Sequence, residues 1–510
     1  MNGEKNLIII GAGVAGLAAG VYALRSGYEV QLVEGHDVPG GLCASWRRGA
    51  YLFDGGAAGL AGTSTDAPIR RLWEELGVLA RCELYDPDSF GSIRLPDGRT
   101  ATAWTDIGRF EAHFVELFPR DARRIRSFCR ALRVCAGVDI PFGGGAGGKG
   151  NAVEAAARRR ALLSLPALIR YSGATLRKYC DGLKDPACRL AFENLVHFGG
   201  VDAPLLTVLL PLCYAHRKAT GIPRKGWLNF ARAIEAEFLS LGGEVRYGIP
   251  VSGLVSSGRD AQGRACGRVL GVRLGDGSEL RAARVLSAAD GRFTAGALLG
   301  EAEAALARAF KPEELSDQPV QVNLGVAEDW SEFGGPLTLP LAEGRATAGR
   351  KQTKLTVHNR CYDPSSAPAG KSALTAFLDS SYAFWAPLKD DGAAYEREKA
   401  RCAELVIRAL EKARPGIGGR VEAIDVSTPL TRERYTGNWM GAMQAKRADR
   451  SMMSALLAGG PRYSDPRLAG FYRAGQWVEA WGGITTAAQS GRNAVRALCR
   501  DEGIPFDGES

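Results

Sequence analysis

The stretch Leu7–Glu34, LIIIGAGVAGLAAGVYALRSGYEVQLVE, decides the fold. Its first four residues, Leu7 to Ile10, are apolar and predict a buried strand. Gly11, Gly13 and Gly16 follow as G-x-G-x-x-G. Val14, Leu17, Ala18, Val21 and Leu24 then recur at helical spacing. A second strand, Glu29 to Val33, runs into Glu34. Each glycine has a mechanical task. Gly11 allows the tight turn, Gly13 lets backbone approach a pyrophosphate, and Gly16 lets helix pack on strand. Val14, Ala15 and Gly16 open the helix, where free N–H groups and the positive dipole end meet phosphates. Glu34 stands close to the ~20-residue spacing expected of a carboxylate that grips a ribose hydroxyl. A glycine-rich βαβ unit that binds nothing shares the glycines. Strand, helix, second strand and acid together point to a dinucleotide. The motif alone does not separate NAD from FAD.

Outward from that stretch, 510 residues are long for one core, and roughly two to four domains are expected. Apolar residues make up 45% and charged residues 24%, a globular balance that sets disorder aside. The formal net charge of +9 favours anionic surfaces, either as plain solubility or as contact with lipid. No basic run is interleaved with aromatics at a recognisable spacing, so nucleic acid is not an expected partner. The eleven cysteines form no C-x-x-C pair and signal neither zinc nor a redox couple. Their odd count, and a first apolar stretch that leads straight into the glycine loop, fit a reducing cytoplasm. The apolar run Leu205–Ala215 contains Pro211 and falls well short of the ~20 residues of a membrane span. The expected location is cytoplasmic, either free or peripheral to the inner face of the membrane.

After Glu34 come Pro39-Gly-Gly-Leu-Cys-Ala-Ser45 and Phe53-Asp-Gly-Gly56. Gly40, Gly41 and Leu42 bring backbone toward a ribityl or pyrophosphate group. Gly55 and Gly56 bring it toward a flat ring. Read blandly, these are two glycine turns.

The pattern P-G-G-x-x-x-S followed by F-D-x-G, downstream of GAGVAG, resembles the FAD-binding amine oxidase and phytoene desaturase superfamily. Gly40-Gly-Leu-Cys-Ala-Ser-Trp46 is most similar to the phytoene desaturase and carotenoid isomerase branch. Amine oxidases usually carry Gly-Gly-Arg here, and this chain has Leu42. The resemblance implies an α/β fold. A Rossmann-like FAD-binding domain of the GR2 type is combined with a discontinuous α+β substrate domain. The expected division gives 1–60, 222–300 and 430–510 to the FAD domain, and 61–221 with 301–429 to the substrate domain. It also implies non-covalent FAD, contacted by the backbone at Val251 and by Ala289 after the strand that re-enters the domain.

Residues 61–221 predict helices at 68–76 and from a cap at Asp106 to Phe118. A basic amphipathic segment with Arg158, Arg159, Arg160, Arg170, Arg177 and Lys178 reads as a solvated helix face or as a membrane-surface segment. Further strands are expected at Val320–Val326, Lys354–Val357 and Ser372–Asp379. Tyr382, Phe384, Trp385, Tyr435 and Trp439 line a cavity or belong to the core.

Gly470–Gly475 predicts a last strand, and Ile484–Leu498 a helix after Gly482-Gly483. By resemblance this return aims a second helix N-terminus at the flavin, with Gly475, Gln476, Gly483 and Ile484 at the cofactor. Gln476 stands where the family often has aspartate, and its amide both donates and accepts. Glu479 and Trp481 are the candidate catalytic residues at the flavin face; otherwise they are a loop acid and a packing aromatic.

No G-x-S-x-G, H-E-x-x-H or P-loop occurs, and the five histidines form no metal pair. No metal is expected. The resemblance implies hydride transfer between a C–H of a hydrophobic polyene or isoprenoid and flavin N5, as desaturation, saturation or isomerisation. A reductive cyclase of polyene tetramate-type natural products shares these segments. A flavin amine oxidase is disfavoured by Leu42. A flavin-binding protein with a structural role is the reading from outside enzymes. Without a second G-x-G-x-x-G, the electron partner is oxygen, a quinone, or NADPH docking at the flavin.

Overall fold

A computed structural model describes residues 5–55, 59–67, 69–136, 173–195, 201–202, 204–315, 318–445, 461–479 and 482–508. Its centre is a five-stranded parallel sheet in the order Glu244–Arg246, Glu29–Val33, Asn6–Ile10, Arg284–Ser287, Phe471–Arg473. Both faces of such a sheet are covered, which is why Leu7 to Ile10 are all apolar and all buried. On one face lie the helices Val14–Arg25, Trp227–Ser240 and Ile484–Glu502, packed in one core with Leu17, Val21, Ile234, Phe238 and Leu498. The antiparallel strands Val251–Arg259 and Ala265–Leu274 join Ile8, Ile10 and Val285 in the core on the other face.

A second sheet has seven strands: Val421–Ser427, Val320–Val326, Ser372–Leu378, Arg350–Asn359, Leu337–Thr347, Ser89–Arg94, Thr100–Trp104. Along Val320–Val326 the even positions Val320, Val322, Leu324 and Val326 face one way, as strand alternation requires. They meet Leu355, Val357, Leu374 and Ala376, with Trp330, Trp385 and Val406 packed over them. A third core fills the helical side: Ile107–Leu117, Ala122–Cys135, Pro186–Glu193 and Leu206–His216 bury Phe110, Phe114, Phe128 and Phe192.

The structure departs from the sequence reading in several places. The strands Ser89–Arg94 and Thr100–Trp104 and the helix Ala122–Cys135 were not expected; the two strands complete the sheet. The helix expected at 68–76 spans Arg70–Glu75. The apolar run at 205–215 forms the helix Leu206–His216, and its Val208, Leu209 and Leu212 are core. Of the five aromatics expected at a cavity or in the core, Trp385 is fully buried core and Tyr435 is half exposed. The basic segment around Arg158–Arg170 lies outside the described residues, whereas Arg177 pairs with Asp202 at the surface.

Candidate functional site

Three backbone loops converge at the C-terminal ends of the parallel strands. The first is the glycine loop after Asn6–Ile10. A Cβ on Gly16 would stand 1.9 Å from the carbonyl oxygen of Gly11, so only glycine lets the helix close on the turn. At Gly13 the opposite holds: a Cβ would meet nothing within 4 Å. That space lies at the cap of helix Val14–Arg25, which has no side-chain cap. Its first-turn N–H groups, with Val14 and Ala15 beside them, are left for a ligand.

The second loop, Gly35–Leu42, is fastened to the first. Gly40 N–H donates to Ala12 O at 2.9 Å, and Gly13 and Gly40 form an isolated parallel bridge. Gly41 lies against Gly13, its Cβ position 3.6 Å from the Gly13 Cα. The carbonyl of Leu42 is in turn 2.7 Å from where a Cβ on Gly55 would be. Glu34 stands between the loops. Its Oε2 accepts from Ala12 N–H at 2.6 Å and its Oε1 from His36 N–H at 2.9 Å. These bonds fix the carboxylate at the strand end.

The third loop is the C-terminal return. Gly475 has φ +103°, a left-handed backbone that a side chain would strain. It is held by its N–H to Ser490 Oγ at 2.9 Å, and its Cβ position is 3.7 Å from the Ala15 Cβ. Gln476 follows, half-buried. Gly483 caps the helix Ile484–Glu502, again with no side-chain cap. Two uncapped helix starts therefore flank one region.

Glu479 is buried beneath this return. Tyr463 OH donates to its Oε1 at 2.6 Å, and Asn493 Nδ2 donates to the Tyr463 oxygen at 3.2 Å. Burial pushes its carboxyl above the usual carboxylate range, against hydrogen bonds from Tyr463 and Ser490 that lower it. Val251 begins the strand Val251–Arg259 beside the end of strand Glu29–Val33, where Ile249 N–H donates to Glu34 O at 2.9 Å. Ala289 is half-buried in the core below the first strand. Gly56 and Trp481 lie outside the described residues.

Two groups were missed by sequence reasoning. Asp290 Oδ1 accepts from Arg292 N–H and Phe293 N–H, and its Oδ2 accepts from Trp439 N–H, all at 2.9 Å. It ties the 437–442 turn to the parallel sheet, and burial raises its carboxyl despite the three donors. The second is Asp54, the aspartate of F-D-x-G. It pairs with Arg360, which also reaches Asp363 at 3.2 Å. Asp54 Oδ1 accepts from Trp227 N–H at 3.1 Å and from Ser45 Oγ, and its carbonyl from Gln321 Nε2 at 2.6 Å. Gln321 continues to Asn323 (2.9 Å), and Asn323 to Thr375 (2.8 Å) and Asp425 (3.2 Å). The F-D-x-G turn is thereby locked to the seven-stranded sheet. Its signal was present in Asp54 itself, but Arg360 has no motif.

The open Gly13 cradle, two uncapped helix starts and an anchored Glu34 fit a dinucleotide, with acid for ribose and N–H groups for phosphate. Among the described residues, no cluster of His, Cys, Asp or Glu could hold a metal, and no helix is long and apolar enough to cross a membrane.

Comparison with known proteins agrees with this geometry. The family described as flavin containing amine oxidoreductase matches residues 14–499. Prolycopene isomerase of Daucus carota is 22% identical, over 98% of this chain and 81% of its own. A neurosporene-forming phytoene desaturase of Rhodobacter capsulatus is 25% identical, over 97% of this chain and 94% of its own. An oxidoreductase from Methanosarcina mazei shares the fold with a TM-score of 0.57 at 17% identity, over 96% of this chain and all of that one.

Proposed function

The chain belongs to the flavin containing amine oxidoreductase family and is an FAD-dependent oxidoreductase, and from that premise we propose that its substrate is a hydrophobic conjugated polyene or isoprenoid. The observation that carries this is the near full-length similarity to a prolycopene isomerase and a phytoene desaturase. Leu42, where amine oxidases usually have arginine, supports the same branch.

Bound FAD supplies the chemistry, hydride exchange at N5 with a substrate C–H. The protein's share is position and exclusion of water. Glu34 would hold the ribose hydroxyls, and the free N–H groups at the starts of helices Val14–Arg25 and Ile484–Glu502 would stabilise negative charge on the cofactor. Gly40 to Leu42, Gly55, Val251, Ala289, Gly475 and Gln476 would supply the remaining cofactor contacts. Glu479, through Tyr463 and Ser490, holds the return that carries Gln476. The direction is desaturation, saturation, isomerisation or reductive cyclisation, with oxygen, a quinone or NADPH as electron partner. The net charge of +9 supports collection of the substrate at an anionic membrane surface.

The test is anaerobic mixing of the yellow holoprotein with phytoene, lycopene and a primary amine such as putrescine. Flavin bleaching by a polyene, or isomerisation of one after chemical reduction of the flavin, is expected. Bleaching by the amine alone overturns the reading.

A further inference from the structure

The two faces of the seven-stranded sheet differ in kind. One carries Val320, Val322, Leu324, Leu339, Leu355, Val357, Leu374 and Ala376, all buried in one apolar core. The other is reached by the Asp54 network. Gly325 meets the Tyr51 ring there, and Ala373 packs on Tyr51 and Phe53, so this face looks at the cofactor domain. Register extends it. Thr375 is paired with His358, Phe377 with Thr356, Thr356 with Thr338 and Pro340 with Lys354. Thr338 is paired with Ile93, which belongs to the helical core. Lys354, Thr356, His358 and Phe377 therefore share the face between the Asp54 turn and the helices. Each is only half-buried, unlike the residues on the opposite face.

Lys354 is unusual there. Burial lowers its ammonium from the ordinary lysine value, partly offset by the carboxylates of Asp379 and Glu193. Among the described residues neither carboxylate comes within ion-pair distance of it, and Glu193 is held by Arg189 at 2.9 Å. The Thr338 and Thr356 hydroxyls satisfy each other at 3.0 Å, so it is the Lys354 cation that a hydrocarbon would leave facing an apolar ligand at a desolvation cost. A cation half-buried on such a face, with no carboxylate paired to it among the described residues, is stabilised by a counter-charge.

We propose that the substrate is an amphiphile, a conjugated apolar chain ending in an anionic oxygen group, and that Lys354 binds that head group and sets specificity for it. This rests on the polyene reading above and narrows it. Phe377, beside Thr356, offers a ring to the chain, and Lys354 offers a charged hydrogen bond to the head.

The experiment titrates the FAD-loaded protein with retinoic acid and with methyl retinoate, following the flavin spectrum and ligand fluorescence. The acid is expected to bind at least about tenfold tighter than the ester, the size of one charge-assisted hydrogen bond. Lys354→Met should bring the acid down to the ester's affinity and leave both the ester affinity and the flavin spectrum unchanged. Lys354→Arg should keep the preference. Equal affinities in the unaltered protein, or a preference that survives Lys354→Met, overturn the head-group assignment. If lycopene binds and neither retinoid does, the head group is refuted and the polyene reading stands. If no polyene binds to a protein that retains its FAD, the polyene reading itself falls.

Discussion

The glycine loops at the end of the parallel sheet and the half-buried face of the seven-stranded sheet are the two surfaces proposed above to bind, made in opposite ways. The loops present backbone. Gly13, Gly40, Gly41 and Gly475 contribute the absence of a side chain, and Glu34 is the one carboxylate among them. The sheet face presents side chains, set beside one another by strand register: Lys354, Thr356, His358 and Phe377. A backbone site is written as local spacing and tolerates almost no added atom. A side-chain site is written as register and can be rewritten one residue at a time. A family can keep one cofactor through the first while changing substrates through the second.

Four perturbations would break or sharpen this contrast, in decreasing order. Gly16→Val places a branched side chain against the Gly11 carbonyl and should cost more than about 4 kcal/mol, giving an unfolded, colourless protein by circular dichroism. Gly13→Ala is its control: it should leave the apoprotein's melting unchanged yet weaken FAD binding measurably. If both variants melt alike, the distinction between a packing glycine and a ligand glycine is lost.

Arg360→Met leaves Asp54 buried without its partner and should destabilise by about 3–5 kcal/mol in chemical denaturation. The double variant Asp54→Asn/Arg360→Met should recover part of that loss. Glu34→Ala should raise the FAD dissociation constant by about ten- to a hundredfold, the range for a charged hydrogen bond, as read by fluorescence titration. Unchanged affinity would remove Glu34 from the ribose.

Glu479 gives the smallest effect. Its folded carboxyl is raised, so between the unfolded value near 4.3 and the folded one the native state holds the extra proton. Stability from this group is thus present at low pH and lost as pH rises through that window. Glu479→Gln should flatten the fall in melting temperature from weakly acidic toward neutral pH. A variant with the original slope would assign that slope elsewhere.

Legibility follows the same divide. The strand–glycine–helix–strand unit, Glu34 and the Gly475–Gly483 return are readable because each is short and its residues are neighbours in sequence. Val320–Val326 is readable from its alternation of apolar and polar residues and has those same bounds in the structure. Ser89–Arg94 escapes reading because Ser89, Gly91 and Ser92 leave only Phe90 and Ile93 apolar, with no strict alternation, and its partner Leu337–Thr338 belongs to a distant part of the chain. Arg360 reads as a surface residue until Asp54 is placed opposite it. Lys354, in a strand, reads as solvent-facing until the sheet covers it.

One feature of the fold reaches beyond binding. Gly491 is pressed against the first helix, its Cβ position 2.2 Å from Ala15 O, so the first and last helices of the cofactor domain are close-packed neighbours. A ribosome adding about 5–20 residues per second makes the first long before the last. For on the order of half a minute or more, the nascent βαβ unit has its glycine loop but not the helix that covers Leu17 and Val21. A cofactor site that needs both helices is therefore expected to be completed only after the helix Ile484–Glu502 has been made.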